Sequence, residues 1–289
     1  MVMSRPWLII LTWTVIGFNN IIRKRLVLKP ALHYIIMITT KVFFPNSKGQ
    51  KICAILEEFD TKSGRIVIII HGYGSSKDGE SSRAMASELS ARGIASLRID
   101  LNGCGESEGN FAFQTITSTV ADAEAAIAYV KSLGYSDIAL FGASAGGLTA
   151  MATALTHPEI TALGLKCPVS DYVSQKIKRL GAPGVANWQQ MGSLRYTDAH
   201  GRERTVDYSV FEDYRRHVMF DKVCAIPCPT LIVHGDADEI VDVEDSKRLV
   251  TQFPQGKLVI IPGANHRFTN ETDRMHLQAL FGEFYASTS

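Results

Sequence analysis

The sequence lacks several features that would assign it to common protein classes. Its 289 residues carry 30 Lys and Arg against 29 Asp and Glu, so there is no positive excess of the kind that neutralises nucleic-acid phosphates. The five cysteines are too few, and odd in number, for a disulfide framework. Hydrophobic residues make up 46% and charged residues 20%, as in ordinary globular proteins. The composition therefore predicts a folded protein of a reducing compartment, with no nucleic-acid partner.

Signatures of bound cofactors and metals are also missing. The stretch Gly103–Gly109 lacks G-x-G-x-x-G spacing, and Glu106 and Glu108 would repel a pyrophosphate. The sequence contains no Walker-type G-x-x-x-x-G-K-[ST] motif. Cys224 and Cys228 have no second Cys/His pair at the spacing that completes a tetrahedral zinc site. We therefore predict neither a cofactor nor a metal.

A prominent apolar run lies near the amino terminus, at residues 7–18. It is shorter than the about 20 residues that span a bilayer, and no small-residue cleavage site follows it. Residues 1–36 are predicted to be either an apolar helix that contacts a membrane surface through residues 7–22 or a dispensable extension. If the apolar run inserts into a membrane, the basic cluster at residues 23–25 would keep the rest of the chain in the cytoplasm, the predicted location.

From residue 37 onward, short apolar runs alternate with longer amphipathic ones. This alternation is typical of a parallel sheet with helical crossovers. Strands are predicted at residues 41–44, 52–56, 65–71, 94–100, 138–141, 162–169, 230–234 and 257–261, and helices at 80–92, 117–133, 146–156, 243–253 and 271–285. The alternation breaks at about 171–220, which is rich in aromatic and charged residues. We therefore predict one doubly wound α/β domain at 37–289, with a cap inserted at about 171–220.

A G-x-S-x-G motif, centred on Ser144, lies between a predicted strand and a predicted helix. In this setting the serine lies on a sharp, exposed turn, and small neighbours are needed because the backbone passes closely. A serine hydroxyl becomes a nucleophile when an imidazole removes its proton and a carboxylate orients that imidazole. Ser144 is therefore the candidate nucleophile, although a serine in this position could also cap the helix.

Candidate partners for Ser144 follow two later strands. The strand TLIVH leads into Gly-Asp-Ala-Asp238, and the strand KLVIIP leads into Gly-Ala-Asn-His266. Open α/β sheets place their sites at the carboxyl ends of strands, and the order Ser, Asp, His is the one that accompanies this motif. Spacing leaves rivals to Asp238, namely Asp236 and Asp171, and rivals to His266, namely His71, His234 and His276. We expect Asp236 to brace its loop, His71 and His234 to form local hydrogen bonds, and His276 to lie on the surface.

An oxyanion hole needs two backbone N–H groups that point at the developing negative charge. One is predicted at Ala145, immediately after the serine. The other is predicted at Tyr73, because His71-Gly72-Tyr73-Gly74 follows a central strand and its glycines allow a close approach.

Taken together, the segments HGYGSS, RIDLNGCGESEG, GASAGG, LIVHGDADEIV and PGANH resemble the α/β-hydrolase-fold serine hydrolases. The H-G-x-G loop and the short cap are similar to those of microbial carboxylesterases, feruloyl esterases and monoacylglycerol lipases. This resemblance implies that Ser144 is the nucleophile, Asp238 the orienting acid and His266 the base, with Tyr73 and Ala145 as oxyanion donors. It favours Asp238 over its rivals, where spacing alone does not decide.

The expected activity is that of a serine carboxylesterase acting on small-molecule esters of small to medium size, without a cofactor. Feruloyl esterase, acylglycerol lipase, thioesterase and peptidase of the same fold remain alternatives, and so does a ligand-binding receptor that does not turn over. In the cap, most aromatic and basic residues, including Lys176 and Arg179, are expected to pack the cap or to form its solvated face. Trp188 is the cap residue that we expect to face the active site.

Overall fold

A computed structural model describes the backbone of residues 11–17, 20–27, 35–61, 64–197 and 203–288, and the side chains from residue 36 onward within those ranges. The strands are β1 Leu11–Gly17, β2 Asn20–Val27, β3 Ile35–Pro45, β4 Lys51–Phe59, β5 Arg65–Ile70, β6 Ala95–Ile99, β7 Asp137–Ala143, β8 Ile160–Lys166, β9 Ser193–Thr197, β10 Glu203–Asp207, β11 Thr230–Gly235 and β12 Gly256–Ile261. The helices are α1 Glu80–Ala91, α2 Ile116–Ser132, α3 Ala145–Thr156, α4 Tyr172–Met191, α5 Tyr208–Tyr214, α6 Val243–Val250 and α7 Glu271–Ser287.

One sheet organises the molecule, in the strand order β1-β2-β3-β4-β6-β5-β7-β8-β11-β12. Six strands of this sheet run parallel to one another: β5, β6, β7, β8, β11 and β12. Strands β1 to β4 extend the sheet in antiparallel fashion. The chain passes from β5 to β6 on one side and then crosses to β7 on the other side of β5. Ligands of open α/β sheets bind at such a switch point, which here lies at the carboxyl ends of β5 and β7. The predicted fold class is confirmed.

Strand β5 shows how the sequence builds both faces of this sheet. Its run RIVIII is buried along its whole length, as in strands covered on both sides. Successive side chains point to opposite faces, so Ile66, Ile68 and Ile70 belong to the core that includes residues of α2 and α3. Val67 and Ile69 pack instead with residues of α1 and α7.

The amino-terminal segment differs from the predicted helix. Residues 11–17 and 20–27 form antiparallel strands, and β2 pairs with β3. A short apolar run does not distinguish a helix from a strand by its periodicity, and this one is rich in β-branched and aromatic residues, which favour strands. The rest of the predicted 7–22 helix lies outside the described residues. Among the helices that the structure describes, none is long and apolar enough to cross a bilayer.

The stretch predicted as a cap lies between β8 and β11. It contains α4, the two-stranded β9–β10 ribbon and α5. Helix α4 is interrupted at Gly181, whose φ of 70° is not helical, and Pro183 follows. The first half of α4 therefore has its own direction, which takes it across the carboxyl ends of the strands.

Candidate active site

Ser144 occupies the turn between β7 and α3. Its φ of 55° is rare for a residue with a side chain, and such strain is typical of a serine exposed on a strand-to-helix turn. The backbone is fixed on both sides, because the Ser144 N–H donates to Lys166 O at 2.8 Å and the Ser144 carbonyl accepts from Gly147 and Val169. The hydroxyl does not cap α3. The helix-cap interpretation of this serine is therefore wrong, and its oxygen is available for chemistry.

Glycines allow the backbone of the Ser144 turn to contact the backbone of the loop that follows β5. A Cβ on Gly146 would overlap the carbonyl oxygens of Ile70 and His71. A Cβ on Gly72 would lie 3.1 Å from Ala143 O and 3.3 Å from the Cβ of Ser144. The loop that carries the predicted oxyanion donor Tyr73 thus runs directly beside the candidate nucleophile.

His266 and Asp238 are joined as the sequence order predicts. The Nδ1 of His266 lies 2.7 Å from Asp238 Oδ2, and the imidazole side chain is 12% exposed. With Nδ1 held by the carboxylate, Nε2 is the nitrogen that remains to exchange a proton. No hydrogen bond joins Ser144 Oγ to His266 among the described side chains, and in catalytic sites this contact commonly tightens when substrate binds.

Both carboxylate oxygens of Asp238 have close polar partners. Oδ1 accepts from the backbone N–H groups of Ile240 and Val241, both at 2.8 Å. Oδ2 lies 3.1 Å from the Nε2 of His234 as well as beside His266. Burial opposes ionisation of Asp238, but the hydrogen bonds from both histidines and from Val241 outweigh it and hold the pKa well below its usual range. The orienting group is therefore a carboxylate throughout the neutral range.

The rival carboxylates have other partners. Asp236 accepts from the N–H of Gly263 at 2.6 Å, which confirms that it braces the loop before His266. Asp171 caps α4, since its side chain accepts from the backbone and the hydroxyl of Ser174. Neither is bonded to His266.

The rival histidines are also accounted for. The Nδ1 of His71 donates to Gly72 O at 2.8 Å, while its Nε2 accepts from Leu101 N–H at 3.1 Å. Burial lowers the pKa of His71 and so favours this neutral form, which fixes the loop before Tyr73. His276 is exposed on α7, as predicted.

The two predicted oxyanion donors lie on either side of the serine. Ala145 is the first residue of α3, so its N–H has no acceptor within the helix. Tyr73 follows Gly72, which is in contact with the Ser144 turn. Neither N–H donates to a protein acceptor within the described ranges. Both groups are thus free to bind an oxygen of a substrate.

Sequence reasoning missed a buried charge cluster that holds the Tyr73 loop. The N–H and Nζ of Lys77 donate to Asp100, and Nζ also reaches Glu106 at 2.8 Å. Burial works against the ammonium, but hydrogen bonds to Glu106, Asp100 and Asp78 outweigh it and raise the pKa of Lys77. The sequence did contain a signal for this cluster, since Lys77 follows β5 and Asp100 follows β6.

Cys167 is a second residue whose place was not foreseen. Its sulfur lies within 4.8 Å of ligand-type atoms of Asp238 and His266. Burial and the neighbouring carboxylate raise the pKa of Cys167, so the group is a neutral thiol, which is a poor metal ligand. The contacts that Asp238 makes explain why Cys167, Asp238 and His266 lie close together.

A small pocket opens beside the oxyanion donors. Its lining includes Tyr73 and Ala145, the α2 residues Ile116 and Thr119, and two cap tyrosines, Tyr172 and Tyr214. The rings of Tyr172 and Tyr214 stack at 4.3 Å between centroids, and Tyr73 lies 5.0 Å from Phe111. Aromatic side chains from the core domain and from the cap therefore form one wall.

Trp188 does not line this pocket, contrary to the expectation. It is 1% exposed, its indole N–H donates to Val206 O at 3.1 Å, and its ring packs against Tyr208 and Phe211. The residue lies in the second half of α4, after the interruption at Gly181, and that half forms the interior of the cap. Tyr172 and Tyr214 take the position for which Trp188 was predicted.

Comparisons with known proteins agree with this architecture. The family model described as Hydrolase_4, serine aminopeptidase S33, matches residues 61–204 and 217–273, which is more than half of the chain. The structure of Est1E from Butyrivibrio proteoclasticus with ferulic acid bound is 27% identical, with a TM-score of 0.75, and the match covers 86% of this chain and 98% of Est1E.

A mammalian relative gives a similar match. Mouse mitochondrial palmitoyl-protein thioesterase ABHD10 is 24% identical over 217 residues, which are 73% of this chain and 71% of the relative. The structure of mouse ABHD10 superposes with a TM-score of 0.73 at 21% identity, over 86% of this chain and 99% of that one, and shows the shared fold. With the family match, this places the chain among hydrolases related to esterases and thioesterases. The protein belongs to the serine aminopeptidase S33 family of α/β-hydrolase-fold serine hydrolases.

Proposed function

We propose that this protein is a serine carboxylesterase that hydrolyses small to medium carboxylic esters through an acyl-enzyme on Ser144. The observation that carries the proposal is the hydrogen bond between Asp238 and His266, at the same carboxyl edge of the sheet as a strained turn whose serine hydroxyl does not cap the helix. A receptor that only bound ligand would need none of these three groups.

In the proposed mechanism, each of these groups has a role in acyl transfer. Ser144 Oγ attacks the ester carbonyl while Nε2 of His266 takes its proton, and Asp238 stabilises the imidazolium through Nδ1. The N–H groups of Tyr73 and Ala145 stabilise the tetrahedral oxyanion. His266 then protonates the departing alcohol, and finally activates the water that releases the acid from Ser144.

The pocket supports the substrate class. It is small and bounded by Ile116, Thr119 and the tyrosine rings, which suits a short or aromatic acyl group better than a long chain. The structure of the related Est1E holds ferulic acid, which is an aromatic acid of the kind that such a pocket would accept. Thioester hydrolysis is the second candidate, favoured by the match to ABHD10 over 73% of this chain.

The test is hydrolysis of p-nitrophenyl esters from acetate to long acyl chains, and of a ferulate ester, by the wild type and by Ser144→Ala. We expect turnover that declines with chain length in the wild type and a loss of at least about 10⁴-fold in the variant. Thermal unfolding verifies that the variant is folded. A thioester with the same acyl group and an amino-acid p-nitroanilide separate the thioesterase and peptidase alternatives.

Absence of turnover on all of these substrates, or equal turnover by Ser144→Ala, would overturn the proposal. Tight binding of an ester without turnover would then favour the receptor.

A further inference from the structure

The first half of α4 directs three side chains to one side. Tyr172, Lys176 and Arg179 are spaced at i, i+4 and i+7, and residues at this spacing share a helix face. Tyr172 lines the pocket beside Ala145. Lys176 therefore follows Tyr172 along the face that is turned toward the pocket, and the exposed Arg179 continues the same row.

Lys176 lies over two of the pocket tyrosines. Its Nζ is 5.2 Å from the ring centroid of Tyr73 and 4.9 Å from that of Tyr172, both within the range of a cation–π contact. Tyr73 is also the residue whose backbone N–H is the predicted oxyanion donor. The ammonium thus lies against the side chain of the residue whose backbone borders the predicted oxyanion hole.

No carboxylate neutralises this ammonium among the side chains that the structure describes. The neighbouring charge is that of Arg179, another cation, and burial together with Arg179 lowers the pKa of Lys176 to about 8. Lys178, two residues further along, is different: it is 77% exposed and pairs with Asp242 at 3.1 Å. A partly buried cation without a counter-ion is costly, and an anionic ligand would offset that cost.

A further cation lies across the aromatic wall. The guanidinium of Arg204, on β10, is 4.8 Å from the ring centroid of Phe111, which in turn packs against Tyr73. The wall is therefore apolar at its centre, with the Lys176 ammonium over one side and the Arg204 guanidinium packed on the Phe111 ring at the other. Such a surface complements an anion that carries an apolar or aromatic body.

We propose that Lys176 binds a negatively charged group of the ester substrate, so that the enzyme prefers carboxylate-bearing esters to neutral esters of the same shape. The inference rests on the proposed esterase function and adds the substrate class. Lys176 is a specificity-determining residue in this proposal, because it contacts the remote charge and takes no part in proton transfer.

The experiment compares two pairs of esters. Para-acetoxybenzoate and its methyl ester differ in the charge of the alcohol part, whereas mono-p-nitrophenyl glutarate and p-nitrophenyl pentanoate differ in the charge of the acyl part. The quantity measured is the ratio of kcat/KM for the charged ester to that for the neutral ester. The pair with the higher ratio shows which part of the substrate carries the anion.

Variants connect this ratio to the side chain. Lys176→Met keeps the apolar stem over the rings and should lower the ratio for the preferred pair by about tenfold, mainly through KM. Lys176→Arg should retain most of the ratio. Lys178→Met is the control on the same helix and should leave the ratio unchanged. Should Lys176→Met fail to fold, as judged by thermal unfolding, Lys176→Gln replaces it.

The failure of this inference differs from failure of the esterase function. Hydrolysis of the neutral esters with a ratio that Lys176→Met leaves unchanged would overturn the role of Lys176 alone. An equal fall in Lys178→Met would likewise overturn it, since a general surface field would then explain the preference. Absence of hydrolysis of all four esters would count against the esterase itself.

Discussion

The carboxyl edge of the sheet and the cap hold their side chains by different means. At the edge, backbone groups set the geometry: Asp238 is fixed by two N–H donors, and Ser144 is anchored through its own N–H and carbonyl. In the cap, rings pack on rings and cations lie over them, as with Tyr172 and Lys176. Backbone geometry recurs with a motif, whereas ring packing depends on each side chain. We therefore expect the chemistry to depend on the edge and the choice of substrate to depend on the cap.

Substitution at the edge should produce the largest effect. Asp238→Asn replaces one carboxylate oxygen with an amide N–H₂ group. The side chain then has a single accepting oxygen, which cannot serve the backbone donors and the histidines at the same time. The imidazole of His266 then loses the partner that holds its proton on Nδ1. We expect kcat for p-nitrophenyl acetate to fall by about 10⁴-fold, with KM little changed.

Asp236→Asn is the control for this prediction. Its side-chain oxygen still accepts from Gly263, so activity should remain within roughly tenfold of the wild type. A greater loss in Asp236→Asn than in Asp238→Asn would reverse the assignment of the orienting acid.

Substitution in the interior of the cap should affect stability and leave selectivity alone. Trp188→Phe removes the indole N–H with its hydrogen bond to Val206 O and creates a small void, so the free energy of unfolding should fall by about 1–3 kcal/mol. Urea denaturation measures this loss. The acyl-chain profile should keep its shape, and a changed profile at unchanged stability would show that Trp188 faces the substrate after all.

The smallest effect expected is one of pH. Because the pKa of Lys176 is lowered to about 8, the ammonium is present below that pH and is lost above it. The preference for the anionic ester should therefore be constant below about pH 7 and fall about tenfold by about pH 9.5. Burial raises the pKa values of Tyr73 and Tyr172, so both rings stay neutral over this range.

Lys176→Arg provides the comparison, since a guanidinium keeps its charge throughout this range. Its preference should not change with pH. A parallel decline in the wild type and in Lys176→Arg would assign the effect to another group.

The sequence predicted the carboxyl edge of the sheet better than it predicted the cap. Ser144, Asp238 and His266 were proposed from their places after strand ends, and the structure brings Asp238 and His266 together because parallel strands end at one edge. The cap was delimited but its interior was not predicted, since the interruption at Gly181 decides which half of α4 meets the pocket. For that reason Lys176 was predicted to belong to the packing or the solvated face of the cap, and Trp188 was predicted to face the site.

The buried polar groups were hardest to predict. His234 was expected to bond locally, and it does so with Ser246 at 2.7 Å, but its contact with Asp238 depends on the turn that folds Asp238 back over the strand end. The partners of Lys77 come from a different strand-end loop. Such pairs follow from the register of the sheet, which apolar periodicity alone does not specify.

The backbone contact at Gly146 has a consequence for laboratory evolution of this enzyme. No side chain separates the nucleophile turn from the carbonyls of Ile70 and His71, so no substitution there could adjust the spacing gradually. A library that randomises Gly142 and Gly146 should return almost only glycine among its active clones, although neither residue has a role in the proposed reaction. New substrate ranges would have to arise from the first half of α4 and the β9–β10 ribbon, where one ring or cation can be exchanged at a time.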